Sequence, residues 1–356
     1  MCNIIKSMND KIKIKNKMSN TTHDISGLRQ RCWSQFQEPY NRFNNFFLEP
    51  TNTFNFSTIH YTELFKELGI DNKVVACNKP KKFICRCMDE RCQQLNKEDE
   101  AHEGDLCVSI AIPGMGSLLN KDLLEEHANI IMKKADENGV ESIELYSHQG
   151  CGAAALAKPF YIDETGNQNP TARQVEEYFG NRAHEAFCKV KNIKGFKVKI
   201  ADHKYQSSDM MMHIDNECSD SIHPALGVAI MDFKGLDLSC EHPSIHDFLN
   251  QAKLPFFLIT DYGSHFDDKK DKHLTKWRST AREVELASHI MQGDHGMGSD
   301  FTLPIIFLVN SFESKSRVIE IMSAMDKQLN KTKFANTLDK PNHHKYIMVD
   351  FMKKIN

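Results

Sequence analysis

A short apolar stretch, Ser142-Ile143-Glu144-Leu145-Tyr146, runs directly into Ser147-His148-Gln149-Gly150-Cys151-Gly152 and on into the small-residue run Ala153-Ala154-Ala155. That order describes a buried strand that ends in a bend eased by glycine, where the backbone can turn and approach closely. A histidine and a cysteine three apart at a strand end can grip one metal ion from two sides. Two ligands do not complete a site. The best source of a third lies about sixty residues upstream, in Cys87-Met88-Asp89-Glu90-Arg91, just past another apolar run. Zinc is commonly held by thiolates and imidazole in tetrahedral geometry, and a catalytic site keeps three protein ligands and one open position. Two thiolates and an imidazole suit a soft-to-borderline cation such as Zn²⁺.

The rest of the chain supplies a frame for those strand ends. Phe83–Cys87, Asp105–Ile112, Ile143–Tyr146, Phe196–Ile200, Ala225–Phe233, Leu254–Thr260 and Leu303–Val309 read as strands. Asp122–Asn138, Thr171–Val190, Lys276–Met291 and Arg317–Leu329 read as helices. Helical spacing of Leu123, Leu124, Ala128, Ile131, Met132 and Ala135 marks the first of these, with Gly139 past its end. Alternation of strands and helices predicts an α/β fold with a mostly parallel central sheet flanked by helices. The carboxyl ends of parallel strands line one edge, where ligands bind, so Cys87, His148 and Cys151 can meet there. Asp89 and Arg91, two apart in an extended loop, would project to one side. An Asp beside an Arg stays ionised and can orient a water on the metal.

Three regions are expected. Residues 1–70 form a polar leader and an aromatic-rich helical extension, with its clearest helix at Thr58–Leu68 ended by Gly69. Residues 71–335 form the α/β domain, comprising a metal block at 82–155 and an extended second half at 156–335. Residues 336–356 form a polar tail, and no internal repeat is visible. The aromatic residues between Trp33 and Phe65 must pack on the main domain or on a second subunit, so a homodimer or higher oligomer is expected. The net charge of -3 leaves no basic footprint for nucleic acid. No run of about 18 apolar residues exists to cross a membrane, and no apolar segment follows the N-terminal lysines as a secretory signal requires. Eleven cysteines, an odd number in a long chain, fit reduced thiols in a cytoplasm better than a set of bridges.

Cys87-Met88-Asp89-Glu90-Arg91 followed by His148-Gln149-Gly150-Cys151-Gly152 resembles the metal-site signature of the β-class carbonic anhydrases, including their ζ-class relatives: C-x-D-x-R and then H-x-x-C-G. Between the two, Glu103-Gly104-Asp105-Leu106-Cys107-Val108 is similar to the family's P-G-D-L-F-V strand start, and Ile112-Pro113-Gly114-Met115-Gly116 sits where the family carries its R-N-A-G-N loop. The ordered match spans about Lys82 to Ala155. The resemblance implies a β-carbonic-anhydrase-like α/β fold, Zn²⁺ on Cys87, His148 and Cys151, and an Asp89–Arg91 dyad that gates and orients the reacting water. It also implies a lyase reaction, the reversible hydration of CO₂ to bicarbonate by zinc-bound hydroxide. The alternatives are a non-catalytic zinc-binding protein on the same scaffold and a hydrolase of a CO₂-like molecule such as carbon disulfide or carbonyl sulfide.

Other groups carry plainer readings. Cys85, Cys87 and Cys92 are spaced as a thiolate cluster, but unengaged thiols are the plainer reading of the other two; Cys85, on the same strand face as Cys87, is the substitute ligand the spacing offers. His242 and His246 fit one solvated helix face, and Gly293–Gly298 is a flexible loop that lacks a nucleotide-binding spacing. Asp261, at a strand end, either reaches the ligand edge or caps a turn.

Overall fold

The computed structural model describes residues 56–68, 80–89, 92, 107–207, 227–238, 256–262, 280, 283–284, 286–287, 303–329 and 344–352. The leader at 1–25, Arg91, residues 103–106, His242, His246 and the loop at 293–298 lie outside them. The fold is α/β, and every strand pair among the described residues is parallel. The strands nevertheless divide between two sheets instead of joining one. The first contains β2 (Lys82–Arg86), β3 (Cys107–Ala111), β4 (Ser142–His148), β5 (Lys199–Ile200) and β6 (Lys204–Gln206). Its order is β3-β2-β4-β5, with β6 pairing the far end of β4. The second contains β1 (Phe56–His60), β7 (Gly227–Asp232), β8 (Phe256–Asp261), β9 (Leu303–Val309) and β10 (His344–Asp350), in the order β1-β10-β9-β7-β8.

The central strands are buried almost throughout: Phe83, Ile84, Cys85, Ile143, Leu145, Val228, Ala229 and Ile230 expose essentially nothing. This is what a parallel sheet covered on both faces demands, and it explains their near-continuous apolar sequences. Between β3 and β4 lies α2 (Lys121–Glu137), whose first turn is capped by the Asn120 carboxamide oxygen accepting from the Leu123 N–H. Its stripe of Leu124, Ala128, Ile131, Met132 and Ala135 is buried. After β4 come α3 (Gly152–Leu156), α4 (Lys158–Thr165) and the long α5 (Ala172–Lys194). Thr171 and Gln174 close the start of α5 as a capping box, and Gly195 ends it in the left-handed conformation, φ 73°.

Two boundaries differ from the sequence reading. Residues 344–350, grouped there with a polar tail, form β10, an inner strand between β9 and β1 with Tyr346, Ile347, Met348 and Val349 buried. Residues 58–60, read as the start of a helix, belong to β1, and the helix, α1, is Tyr61–Leu68. Within the described residues the aromatic-rich region docks on its own chain. Tyr61 stacks on Phe351 at 5.5 Å, Phe65 meets the same ring edge-on at 6.2 Å, and His60 Nε2 bonds the Met352 carbonyl. The described parts of the expected helix at 276–291, namely Thr280, Glu283, Val284, Leu286 and Ala287, are helical. The helix after β9 is α6 (Phe312–Leu329), which starts five residues earlier than expected. No helix among the described residues is long and apolar enough to cross a membrane.

Candidate metal centre

β2 and β4 are direct neighbours, with Cys85 opposite Leu145. Their carboxyl ends therefore emerge side by side, Cys87 one residue past β2 and His148 as the last residue of β4. Gly150 then turns the chain at φ 74°, a conformation that glycine adopts without steric cost. Cys151 follows as the residue that caps α3, with its Sγ 3.5 Å from the Ala154 N–H. In this way the strand–turn–helix order of the sequence brings Cys151 back over Cys87.

Among the described residues, Cys87, His148 and Cys151 are the one group whose ligand atoms converge, all lying within 4.8 Å of one another. The two sulfurs are 3.8 Å apart. An ion with metal–sulfur bonds of about 2.3 Å and tetrahedral angles separates its two sulfurs by about 3.8 Å, so the spacing fits such an ion. All three residues are buried. His148 Nδ1 donates to the Gln149 carbonyl at 3.0 Å, while its Nε2 is buried with no hydrogen-bond partner. A fixed Nδ1–H leaves Nε2 as the ligand atom, the arrangement expected of a metal-binding imidazole. The group can hold a metal ion.

The electrostatics of the three side chains are strongly interdependent. The hydrogen bond between the Cys151 and Cys87 sulfurs, against the penalty of burial, holds the Cys87 thiol well below its ordinary range, with help from His148. The same bond, together with burial, pushes Cys151 well above that range. Burial alone would lower His148, but the neighbouring sulfurs of Cys92, Cys151 and Cys87 outweigh it and raise the imidazole. Of the three, Cys87 is thus the one eased toward its ionised form, while Cys151 and His148 are held toward their protonated forms.

Backbone and carboxylate groups brace the ligands. The Gly114 N–H donates to Cys87 Sγ at 3.2 Å. Gly114 has φ 51°, and a Cβ there would meet Ser117 Oγ at 2.5 Å and Ala153 Cβ at 2.9 Å. The Ile112–Gly116 segment thus works through a main-chain donor that only glycine can place. On the other side, Glu176 of α5 accepts from the Gly150 and Cys151 N–H groups at 2.9 and 3.0 Å and from the Tyr205 hydroxyl at 2.8 Å. Its carboxylate stitches the H-x-x-C turn to α5 and β6. Neither Gly114 nor Glu176 stood out in the sequence as a site residue. Glu176 lies 25 residues from Cys151, and nothing in its neighbourhood marks it apart from other helix carboxylates.

Asp89 is buried and close enough for its charge to act on both Cys87 and Cys92, although it is not one of the three converging ligands. Its expected partner Arg91 lies outside the described residues. Cys85 is buried in β2, and burial pushes its thiol up; it does not join the converging group. Asp261 ends β8, with Arg317 Nη2 3.8 Å away. Compared with family models, curated proteins and solved structures, the chain matches none of them.

Proposed function

We propose that the protein is a zinc-dependent lyase of the carbonic anhydrase type, built on a β-class-like scaffold, that reversibly hydrates CO₂ to bicarbonate. The observation that carries the reading is the convergence of Cys87, His148 and Cys151 on one point, with sulfurs 3.8 Å apart and a partnerless imidazole nitrogen. These residues come from the two segments whose sequence resembles that family. Zinc held there supplies Lewis acidity that makes water a nucleophile near neutral pH.

The chain's own residues divide the remaining work. Gly114 N–H supports the negative charge on Cys87, and the Gln149 carbonyl fixes the His148 tautomer. Glu176 holds Gly150 and Cys151 in place. Asp89, buried beside Cys87, is assigned to accept a hydrogen bond from the reacting water and orient it, and Arg91 is assigned to keep Asp89 ionised. The substrates are small and uncharged or singly charged, which suits a site whose ligands are almost fully buried.

Stopped-flow CO₂ hydration by the zinc-loaded protein tests this reading. Activity is expected in the wild type and should fall by at least about 100-fold in Asp89→Ala, the scale of losing an orienting group. Cys87→Ala and His148→Ala should lose the metal as well. A fully metallated protein that hydrates no CO₂ across a wide pH range would sink the assignment.

Cys92 favours a second reading, a structural zinc site without catalysis. Burial pushes its thiol up while the charge of His148 pulls the other way, so a third sulfur lies near the imidazole, outside the converging group. A four-ligand shell is closed to substrate. Under this reading Cys92→Ala weakens zinc binding, whereas under the first it leaves zinc in place.

A further inference from the structure

The two sheets repeat one plan. In the first, the strands taken in chain order, β2, β3, β4 and β5, lie in the spatial order second-first-third-fourth. In the other sheet, β7, β8, β9 and β10 lie in the same order, with β1 added outside β10. Helical segments occupy corresponding places: α2 between β3 and β4, the helical residues from Thr280 to Ala287 between β8 and β9, and α6 after β9 where α3 to α5 follow β4.

Strand pairing allows the two sets to be matched residue by residue. Lys82 opposite Cys107 is the first pair of β2 and β3, and Gly227 opposite Phe256 is the first pair of β7 and β8. With those pairs superposed, Cys85 opposite Leu145 corresponds to Ile230 opposite Phe307. Ser142 opposite Lys199 then corresponds to Pro304 opposite Lys345. The same match carries Cys87 onto Asp232, His148 onto Asn310 and Cys151 onto Glu313.

At the second set of positions the chemistry is changed throughout. Asp232 is buried and accepts from Arg317 Nε at 3.1 and 3.0 Å through its two oxygens. Asn310 is engaged with Asp237 through both its carbonyl oxygen and its amide nitrogen. Glu313 is exposed. Two cations already stand there: Arg317, and Lys134 of α2, whose Nζ donates to the Phe233 and Lys234 carbonyls at 2.5 and 3.0 Å.

The two sets also hold each other at matched points. Met88 and Phe233 each follow the first ligand position. The Met88 carbonyl accepts from the Leu258 N–H of β8, and the Phe233 carbonyl accepts from Lys134 of α2. Thr260 Oγ1 and the Tyr262 hydroxyl bond the N–H and carbonyl of Ala111 at 2.8 and 2.5 Å.

We infer that residues 82–206 and 227–350 are two copies of one folding unit paired inside a single chain, the second carrying an Asp232–Arg317 ion pair in place of the metal ligands and serving as the built-in partner that closes the first copy's site. The inference stands on strand pairing and goes beyond the chemistry proposed for the cluster. One consequence is a single metal ion per chain. Another is that the edge formed by β3 is already covered by β8 and is not offered to a second molecule.

A crystal structure of the zinc-loaded chain, with anomalous data across the zinc edge, tests the inference. One peak is expected, among Cys87, His148 and Cys151, with the Arg317 guanidinium on Asp232 and the two units superposing in the stated match. A second peak at Asp232, Asn310 or Glu313 overturns it, as does a superposition that demands a different match of strands. Metal analysis should give about one zinc per wild-type chain and almost none in Cys87→Ser. Two zincs in the wild type, or one retained in the variant, overturns it; should Cys87→Ser fail to fold, the wild-type content decides. A wild-type chain free of zinc would remove the metal reading of the cluster, while the superposition would still decide whether the units are copies.

Discussion

The carbonyl of Met88, one residue past Cys87, accepts its hydrogen bond from the Leu258 N–H at 3.0 Å. The chain just past the first of the three converging side chains is therefore anchored by a strand of the other sheet, more than a hundred residues along the chain. Tyr262 reinforces the same junction through Ala111. Tyr262→Phe keeps the ring that packs on His127 and Phe233 and deletes only the hydroxyl. It should cost about 1–2 kcal/mol of stability in urea unfolding and speed the loss of bound metal to a chelator. Unchanged stability would mean that the junction does not hold the units together.

Metal binding should release protons. Cys151 and His148 are both held above their ordinary ranges, whereas Cys87 is held well below its own. Coordination needs both sulfurs deprotonated and the imidazole neutral, so about two protons leave per ion at neutral pH. Apparent affinity should rise with pH by roughly 100-fold per unit in that range. Calorimetric titrations in buffers of different ionisation enthalpy count those protons directly; a count near zero would contradict the protonation states given above.

Glu176 touches no metal, and its substitution should be felt through the turn it braces. Glu176→Gln retains the shape but loses the charged acceptor for the Gly150 and Cys151 N–H groups. Metal affinity should fall about 10–100-fold, the usual effect of removing a group that orients a ligand. Competition with a chelator measures it, and circular dichroism confirms that the fold is kept.

His127 makes the junction acid-sensitive. Burial depresses its imidazole from the ordinary 6.5 to about 4, and neither ring nitrogen has a hydrogen-bond partner. A depressed folded value means that the unfolded chain takes up the proton first. The stability contributed by the neutral ring is therefore complete above about pH 6.5 and declines as the pH falls toward 4. The slope is about 1.4 kcal/mol per pH unit, or roughly 3 kcal/mol across the window. His127→Phe keeps an aromatic ring beside Tyr262 and should flatten the wild-type slope between those pH values by about one proton. Equal slopes in the two proteins would show that His127 is not the titrating group.

The site was legible where its signal is local. His148, Gly150 and Cys151 sit within four residues at a strand end, and Cys87 ends an adjoining apolar run, so strand pairing alone had to bring them together. Gly114 and Glu176 were not legible, because a backbone donor and a helix carboxylate acquire their roles only when distant segments meet. The strand at 344–350 was hidden by the same physics. Its apolar core is only four residues, Tyr346 to Val349, between polar neighbours, and its burial comes from lying between β9 and β1. The repeat of the two units escaped notice because the positions that would announce it, Asp232, Asn310 and Glu313, no longer share residue types with Cys87, His148 and Cys151. A parallel α/β arrangement tolerates almost any apolar strand sequence, so the topology persists where the letters diverge.

The pairing of β1 with β10 imposes an order of events. His60 and Met352, joined by a hydrogen bond, are 292 positions apart. During synthesis the strands of the first sheet, β2 to β6, can all be assembled while β10 has yet to be made, since domains fold as units from the N-terminal side. The segment Phe56–Leu68, although made before either sheet, has no neighbour to pair with until the ribosome has finished β10. The earliest described strand is thus the last to be placed, and closing this long loop is deferred to the moment when both sheets already exist to reward it.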